Sequence, residues 1–341
     1  MSKLRLLTKN IIAYTLYYSG IILAILKYKT KNKLIVLTYH RVMPDDVAIN
    51  SFSNKAIIVK PETFEKHIIF LKNHFNVVSL EEFSVTLKSQ YRDNKPLCLI
   101  TFDDGWIDNY IYAFPIIKKH RIPVTIFLPT DYINSNKLFW QENIAMALKN
   151  LLASKSDAAN NILCNLHLQH LRTLSNDQAL NKILSAVNKL KTKSYNEIKD
   201  LHNRIINATN SNTIEKHIDR YINWDIVNEM KESGISFGSH ACSHRILTRL
   251  DQDTVTKELI DSSKIIEEKT GLKPFAIAYP NGNADNNVIK CATNSGYELG
   301  FTTKPGYINP NSNPLSHNRL NMHEKKSSNT PLFVMSLLGY F

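Results

Sequence analysis

The chain has 341 residues and a formal net charge of +12, and 43% of its residues are hydrophobic. No segment is low-complexity, so length and composition allow one large folded domain or two modest ones. The four cysteines contain no CxxC pair, which argues against a disulfide framework, and the dispersed lysines accompany no zinc-finger or RNA-binding signature, so nucleic-acid binding is not supported.

The first predicted element is an uncharged, apolar stretch over residues 10–26 with basic residues on both sides. It has the basic start and apolar middle of a secretory signal but no small-residue cleavage site. At about 17 residues it lies at the lower limit for crossing a bilayer, and Tyr14, Tyr17 and Tyr18 are typical of the membrane interface. We predict an interfacial or shallow membrane helix within residues 1–33; a spanning anchor and a helix packed on the folded domain are the alternatives.

The lysines after this stretch bear on its location. Positive residues that flank an apolar segment tend to stay in the cytoplasm, and lysines follow here at positions 27, 29, 31 and 33. We therefore expect membrane association through residues 10–26, at a bacterial inner membrane, with the cytoplasmic face favoured.

Short β-branched strands and helices alternate beyond this segment. Residues 34–38, 97–102 and 124–128 have the composition of buried strands, whereas residues 61–73 and 107–120 have helical spacing. This alternation predicts a parallel sheet or barrel.

The pattern changes over residues 140–222, where helical stretches rich in Asn, Lys and Leu carry almost no strand signal. We predict a helical insertion there. Strands and helices alternate again from residue 224 onward. The α/β domain is therefore expected over residues 34–325, interrupted by the insertion, and residues 326–341 are expected to form a carboxy-terminal tail.

Two adjacent carboxylates, Asp103 and Asp104, directly follow the predicted strand 97–102. Parallel α/β folds place their active sites at the carboxyl ends of strands. Neighbouring like charges are costly unless they share a cation or a proton, so one carboxylate would bind a metal and the other would act as a base. An Asp-Asp-Gly sequence taken alone is more typical of a turn.

A second polar group, His240 and His244, also follows a predicted strand. Two imidazoles four residues apart can converge on one metal when they lie on a helical turn. Together with one carboxylate they leave coordination positions open for water and substrate, as a catalytic metal requires. Surface histidines are the alternative for this motif alone, and Cys242 between them is interpreted as a packing residue rather than a ligand.

With these motifs in this order, the chain resembles the NodB-homology polysaccharide deacetylases. The matching segments are TFDDG at 101–105, SHACSH at 239–244, AYPNG at 278–282 and GYELGFTT at 296–303, and LTYHRV at 37–42 resembles the branch with an amino-terminal Tyr-His. The resemblance implies an α/β fold, a distorted (β/α)7 barrel, and removal of an N-acetyl group from an amino sugar. The helical insertion and the amino-terminal apolar helix lie outside it.

The resemblance also implies roles for individual residues. Asp103 would be the general base that activates the hydrolytic water, and His40 is similar to the histidine that acts as general acid in the Tyr-His branch. Tyr279 would offer its backbone N–H to the oxyanion. The divalent metal, usually zinc in this family, would be bound by Asp104, His240 and His244.

The chain departs from the family pattern in two places. Many relatives have an Arg before the Tyr-Pro of the third motif, paired with the base, whereas this chain has Ala278 there. We predict that Arg319 supplies that charge; an ordinary surface arginine is the alternative. Many relatives also end in a Leu-His motif that provides the general acid. Neither His317 nor His323 has a matching context, which leaves His40 as the candidate.

These motifs favour a hydrolase that removes N-acetyl groups from a polysaccharide or a lipid-linked glycan intermediate. A deformylase of a lipid-linked amino sugar would use the same site, and a catalytically silent relative would bind a glycan without cutting it. The complete ligand set argues against the silent relative. The sequence names neither the sugar nor the oligomeric state.

Overall fold

The chain folds into two compact units. The computed structural model describes residues 3–89, 95–209 and 218–340. Unit 1 contains residues 1–44, 55–135 and 221–341, and unit 2 contains residues 45–54 and 136–220. Four parts of the segments predicted from the sequence lie outside the described residues, namely 1–2, 90–94, 210–217 and 341.

The strands pair in parallel throughout their ladders. Those in the described residues are β1 (Leu34–Tyr39), β2 (Arg41–Val42), β3 (Ile58–Val59), β4 (Asn76–Val78), β5 (Leu97–Phe102), β6 (Thr125–Leu128), β7 (Ser236–Ser239), β8 (Ala276–Ala278), β9 (Leu299–Phe301) and β10 (Leu320–Asn321). The main sheet follows the order β10-β1-β5-β6-β7-β8-β9; β4 pairs with β5 off this path, and β2 pairs with β3 separately.

The segment before β10 brings the two ends of this path together. His317 forms a parallel bridge with Phe301 of β9, and its carbonyl accepts the N–H of Thr302 at 2.9 Å. Shortly afterwards Leu320 pairs with Leu37 of β1. The sheet therefore curls on itself, and the parallel α/β barrel class predicted from the sequence is confirmed.

Alternation along the strands decides which side chains face the barrel interior. Leu34 and Val36 of β1 belong to the same buried cluster as Leu97 and Leu99 of β5. Since side chains two residues apart share a face of a strand, Asp103 continues the inward series of β5 at its carboxyl end. Strand register thus places a carboxylate at the mouth of an otherwise apolar barrel.

Helices surround the sheet and form most of unit 2. In the part of the chain that the structure describes they are α1 (Lys3–Tyr18), α2 (Ile21–Thr30), α3 (Asp45–Ala48), α4 (Pro61–His74), α5 (Leu80–Lys88), α6 (Phe114–His120), α7 (Trp140–Ala153), α8 (Asp157–Asn165), α9 (Asn176–Lys189), α10 (Tyr195–Thr209), α11 (Trp224–Glu232), α12 (Gln252–Thr270), α13 (Asn286–Asn294), α14 (Glu324–Ser327) and α15 (Thr330–Leu337). Their ends follow local signals. A capping box at Ser79 starts α5, and left-handed Gly271 ends α12.

The amino-terminal segment forms two helices rather than the single helix predicted. Gly20 adopts a left-handed conformation (φ 76°) between α1 and α2, which breaks the helix where only glycine is unstrained. The parts Asn10–Tyr18 and Ile21–Thr30 are bent by 83° relative to each other. No single helix among the described residues is long and apolar enough to cross a membrane, although this bent pair meets the length and composition criteria together.

Unit 2 has a helical core of its own. Ile144, Leu163 and Ile183 are buried there on three different helices. Its two chain segments are joined by buried polar contacts, since Ser51 Oγ donates to Asp219 Oδ1 at 2.6 Å. The participation of residues 45–54 in this unit was not indicated by the sequence pattern.

The carboxy-terminal residues belong to the core of unit 1 instead of forming a separate tail. Leu332, Phe333, Val334 and Leu337 of α15 are buried. Because four of the eight residues of α15 are large and apolar, the helix is stabilised by packing against the rest of unit 1.

A buried histidine links this carboxy-terminal region to β1. His67 Nδ1 accepts a hydrogen bond from Tyr39 Oη at 3.1 Å, and its Nε2 donates to the carbonyl of Ser327 at 2.6 Å. The imidazole also stacks on Phe333 with ring centroids 3.9 Å apart. The neutral ring satisfies both partners, and burial lowers the pKa of His67 to about 3.

Stability should therefore depend on pH through His67. Its pKa is about 3 in the folded chain against an ordinary 6.5, so the unfolded chain binds the proton more readily and stability is lost as pH falls below 6.5. We expect the free energy of unfolding, measured by chemical denaturation at pH 7 and at pH 5, to fall between these pH values by about 2 kcal/mol more in wild type than in His67→Gln, because glutamine does not titrate. His170→Gln, at an exposed position, is the control, and parallel losses in wild type and His67→Gln would contradict the prediction.

Candidate active site and metal centre

The predicted site residues come together at one edge of the barrel sheet. His40 follows β1, Asp103 and Asp104 follow β5, and His240 follows β7. Because parallel strands present their carboxyl ends at the same edge, residues from distant parts of the chain meet there. Arg319 enters from the segment that precedes β10.

Three potential metal ligands form a compact cluster. Asp104 Oδ1 lies 3.4 Å from His240 Nε2 and 3.3 Å from His244 Nε2, and all three ligand atoms lie within 4.8 Å of one another. Atoms bound tetrahedrally at about 2 Å from a zinc ion are separated by roughly 3.3 Å. The donor set of two imidazoles and one carboxylate, and its spacing, fit a divalent metal.

The remaining polar atoms of two of these ligands are held by the protein. His240 Nδ1 donates to the carbonyl of Ala278 at 2.6 Å, which directs Nε2 toward Asp104. Trp106 Nε1 donates to Asp104 Oδ2 at 2.9 Å, which leaves Oδ1 facing the histidines. Such outer contacts fix the orientation of metal ligands, so the cluster is preorganised.

The two histidines converge on a loop, not on the helical turn that the four-residue spacing suggested. Ala241 (φ 59°) and His244 (φ 54°) adopt the left-handed conformation, as does Asp104 (φ 77°) on the other loop. This conformation is uncommon outside glycine and persists only where the surroundings impose it. The loops must therefore be held by contacts beyond the ligands themselves.

The carboxylate of Glu258 on α12 supplies such contacts. Its Oε2 accepts the backbone N–H groups of Cys242 at 2.9 Å and Ser243 at 2.8 Å. Its Oε1 accepts from Ser243 Oγ and from Arg245 Nη2 at 3.0 Å. Glu258 is buried, so a single carboxylate fastens the loop between the two histidine ligands.

Cys242 is part of this support and not of the metal cluster. Its backbone bonds to Glu258, and burial raises the pKa of its thiol to about 12. A protonated thiol is a poor metal ligand. The cluster found in the structure accordingly contains the flanking histidines and omits this cysteine.

Asp103 forms a buried bidentate ion pair with Arg319. Nη1 and Nη2 of Arg319 each donate to one carboxylate oxygen of Asp103 at 2.7 Å. The side chain of Asp103 is 2% exposed and that of Arg319 is 0% exposed. Burial alone would raise the pKa of Asp103, but the charge of Arg319, the charge of His240 and the hydrogen bonds from Arg319 together lower it. Asp103 is therefore held as an oriented carboxylate.

Arg319 is itself fixed in place. Its Nε donates to the carbonyl of Thr302 at 2.9 Å, and its Nη1 lies 3.2 Å from Thr101 Oγ1. The alternative, an ordinary surface arginine, does not apply, because the Arg319 residue as a whole is 1% exposed. The pairing with Asp103 predicted from the sequence is present in the structure, and its catalytic role stays a prediction.

His40 lies beside the ion pair, with Nε2 3.9 Å from Asp103 Oδ2. Its backbone carbonyl accepts a hydrogen bond from Asn109 Nδ2 at 2.8 Å, and its side chain is 17% exposed. Burial lowers the pKa of His40 against the opposing effect of Asp104 and Asp103. This position is compatible with proton transfer between Asp103 and a substrate. The general-acid role of His40 stays a prediction.

Tyr279 does not have the role predicted for it. Its backbone N–H donates to the carbonyl of Phe301 at 3.0 Å, and its hydroxyl donates to the carbonyl of Leu315 at 2.9 Å. The residue directly follows β8 and continues the pairing with β9, so its N–H belongs to the sheet and is not available to an oxyanion.

Comparison with known proteins agrees with this geometry. The sequence model of the polysaccharide deacetylase family matches residues 90–199 and 201–300. The chain belongs to the polysaccharide deacetylase family. The resemblance inferred from the motifs is thereby confirmed, whereas membership of the Tyr-His branch stays a prediction.

Individual relatives of this polysaccharide deacetylase chain extend the comparison. It is 23% identical over 282 residues to a putative polysaccharide deacetylase, YxkH, of Bacillus subtilis, which covers 82% of the chain and 68% of that protein. It is 25% identical over 299 residues to a poly-beta-1,6-N-acetyl-D-glucosamine N-deacetylase of Staphylococcus aureus, and this match covers 84% of the chain and 78% of that protein. The structure of the Streptococcus pyogenes deacetylase PplD superposes on it with a TM-score of 0.57 at 22% sequence identity. The superposition covers 91% of this chain and 98% of PplD, which supports the fold.

The sequence analysis missed two residues that support the site of this polysaccharide deacetylase. Trp106 follows the metal carboxylate closely in sequence, and a Trp two residues after Asp104 was an available signal. Glu258 lies on the buried face of α12 with Val255 and Leu259. A lone acidic residue within an apolar helical stripe needs buried partners, and that pattern was visible in the sequence.

The structure also brings a further histidine, His323, close to His40. Thr38 of β1 pairs with Asn321 of β10, so the same register places His323 beside His40, two residues further along each strand. Burial lowers the pKa of His323 to about 4, with smaller effects from Lys326, Lys325 and His40. His317, by contrast, is buried against Phe301 with ring centroids 5.9 Å apart.

Glu258 should control metal affinity in this deacetylase through the loop that it holds. Glu258→Gln keeps the size of the side chain but loses the charge and one acceptor, so we expect metal affinity to fall roughly 10–100-fold. Chelator competition on the purified protein measures this. Glu267→Gln, at an exposed position of the same helix, is the matched control. Equal affinities in the two variants would show that the loop does not need Glu258.

Proposed function

We propose that the chain is a metal-dependent hydrolase that removes acetyl groups from N-acetylated amino sugars in a glycan. The observation that supports this is the juxtaposition of two different aspartates at the barrel mouth. Asp104 belongs to the metal cluster, whereas Asp103 pairs with Arg319. A site with one carboxylate in the metal cluster and a second carboxylate outside it can bind a metal and accept a proton at adjacent residues.

The metal proposed is zinc. Two imidazoles and one carboxylate are a usual ligand set for catalytic zinc and leave positions open for water and substrate. Held by Asp104, His240 and His244, the ion would supply Lewis acidity to the acetamide carbonyl and to the hydrolytic water.

Asp103 would take the proton from the attacking water. Arg319 keeps its carboxylate ionised and oriented through two hydrogen bonds of 2.7 Å, and each oxygen retains a lone pair for the water. Asp103 is 2% exposed, so bulk water does not compete for it.

His40 would return that proton to the leaving amine. Its Nε2 lies 3.9 Å from Asp103 Oδ2, and burial lowers the pKa of the imidazole, which keeps it neutral in the resting site. A neutral imidazole can accept the proton collected by Asp103 and donate it as the carbon–nitrogen bond breaks. The products are acetate and a free amino sugar.

The substrate class proposed is a polymer or lipid-linked intermediate that contains N-acetylglucosamine. The named relatives supply the support, because the Staphylococcus aureus protein matched over 84% of this chain is a poly-beta-1,6-N-acetyl-D-glucosamine N-deacetylase by name. A formyl group on a lipid-linked amino sugar would present the same amide to the same residues, and release of formate would identify that substrate.

The central test is acetate release from β-1,6-linked N-acetylglucosamine oligosaccharides. Chelation should abolish turnover, and added Zn²⁺ should restore it. Asp103→Asn should reduce turnover at least about 100-fold because the proton acceptor is lost, while stoichiometric metal is retained because Asp103 is outside the ligand cluster. Asp225→Asn, at an exposed position, is the control. Full turnover by the chelated protein or by Asp103→Asn would refute the proposed mechanism.

Arg319 should act on turnover rather than on substrate affinity. Arg319→Ala removes both hydrogen bonds and the charge that hold Asp103, so we expect kcat to fall about 100-fold with little change in KM. Arg319→Lys restores a charge but not the bidentate geometry and should give an intermediate kcat. Steady-state kinetics on folded, metal-loaded variants decide this, and unchanged turnover in Arg319→Ala would remove Arg319 from the mechanism.

A further inference from the structure

The amino-terminal helices expose an apolar and aromatic surface. On α1 the exposed side chains include Ile11 (58%), Tyr14 (40%) and Tyr18 (77%), and on α2 they include Ile21 (51%) and Tyr28 (84%). Spacings of three, four and seven residues place members of each set on one side of their helix. These five residues are called the exposed stripe below.

The stripe is not the side by which the helices pack on unit 1. Ala13 of α1 and Ile22 and Leu26 of α2 are buried, and both helices contact α15. Lys29 Nζ also donates to Tyr340 Oη at 3.2 Å, just beyond α15. The helices are therefore attached to the protein along one side and present the stripe on another.

The charged side chains in the sequence from α1 to β1 are all basic. The first acidic residue of the chain is Asp45; the exposed Lys27 and Lys29 lie in the last turn of α2, and the exposed Lys31 and Lys33 follow it. An apolar, tyrosine-rich surface beside lysines, without a carboxylate in the preceding sequence, matches the boundary between acyl chains and anionic headgroups.

We propose that the exposed stripe and its lysines dock on the surface of an anionic lipid bilayer, with α1 and α2 lying in the plane of the interface. The buried opposite faces support the in-plane orientation, because a helix fixed to the protein along its length cannot be surrounded by lipid. Because α1 and α2 are bent by 83° relative to each other, their proposed contact with the bilayer would extend along two different helix axes. This docking is independent of the proposed deacetylation.

The lysines that end the docking surface lie at the opposite end of β1 from the catalytic residues. The last of the four lysines directly precedes Leu34, the first residue of β1, whereas His40 follows its last residue, Tyr39. Six residues of strand span roughly 20 Å. Lipid contact at the lysines therefore leaves the barrel mouth accessible, and soluble oligosaccharides should be turned over equally well with or without vesicles.

Co-sedimentation of the full chain with lipid vesicles tests the proposal. The protein should sediment with phosphatidylcholine vesicles that contain phosphatidylglycerol at least tenfold more strongly than with phosphatidylcholine alone. The triple variant Ile11→Ser, Tyr18→Ser, Tyr28→Ser should lose at least tenfold in binding. Its control is Ile69→Ser, Val85→Ser, Leu272→Ser, which removes apolar side chains that are likewise exposed (46%, 70% and 62%) elsewhere on unit 1.

A second pair of variants tests the charge. Replacing Lys27, Lys31 and Lys33 with Gln should weaken binding to the anionic vesicles by a similar factor, whereas the same replacement at the exposed residues Lys257, Lys264 and Lys290 should not. Turnover of soluble oligosaccharide should be unchanged in all four variants, which shows that they are folded and separates this proposal from the enzymatic one.

Several outcomes would overturn the docking proposal. One is wild-type protein that remains in the supernatant with both kinds of vesicle, and another is an equal loss of binding in a variant and its control. A dimer that becomes a monomer in the stripe variant during sedimentation velocity would assign the surface to a second copy of the chain. Resistance of the vesicle-bound protein to extraction by alkaline carbonate would indicate insertion instead of surface docking.

Discussion

The buried ion pair between Asp103 and Arg319 is the interaction on which the candidate site depends. Removing two charges from water is costly, and only excellent geometry offsets the cost. Here two hydrogen bonds of 2.7 Å join the side chains, and Arg319 has further contacts with Thr302 and Thr101. The pair also connects β5 to the segment that brings the ends of the sheet together, so the curl of the barrel and the orientation of the base depend on the same contact.

In the adjacent cluster of candidate metal ligands, unfavourable backbone conformations are likewise offset by surrounding contacts. Asp104, Ala241 and His244 adopt left-handed conformations that cost free energy by themselves. Trp106 and the carbonyl of Ala278 orient the ligands, and Glu258 fastens the histidine loop. Each candidate ligand is thus supported by a residue outside the cluster, and such support keeps a site rigid.

Local signals in the sequence were sufficient for the parallel α/β class and for picking out four side chains that the structure brings together, Asp103, Asp104, His240 and His244; their roles stay predictions. The two aspartates directly follow the apolar strand β5, and the two histidines lie on the loop that follows β7; strand ends can be recognised from a few neighbouring residues. The family comparison confirms the resemblance that these motifs carried. Arg319 was placed correctly against Asp103 only by analogy with a missing arginine, since nothing near position 319 in the sequence indicates its partner 216 residues away.

Other features were decided by tertiary structure alone. The N–H of Tyr279 is used in the sheet because its strand pairs with β9, and strand pairing has no local signature. The histidines converge through left-handed loop residues held by Glu258, whereas their spacing alone suggested a helical turn. The sequence determined which side chains stand at the strand ends, because that depends on short-range pattern. Which of those groups meet, and which backbone groups remain available to a substrate, depended on contacts between distant segments that only the folded chain brings together.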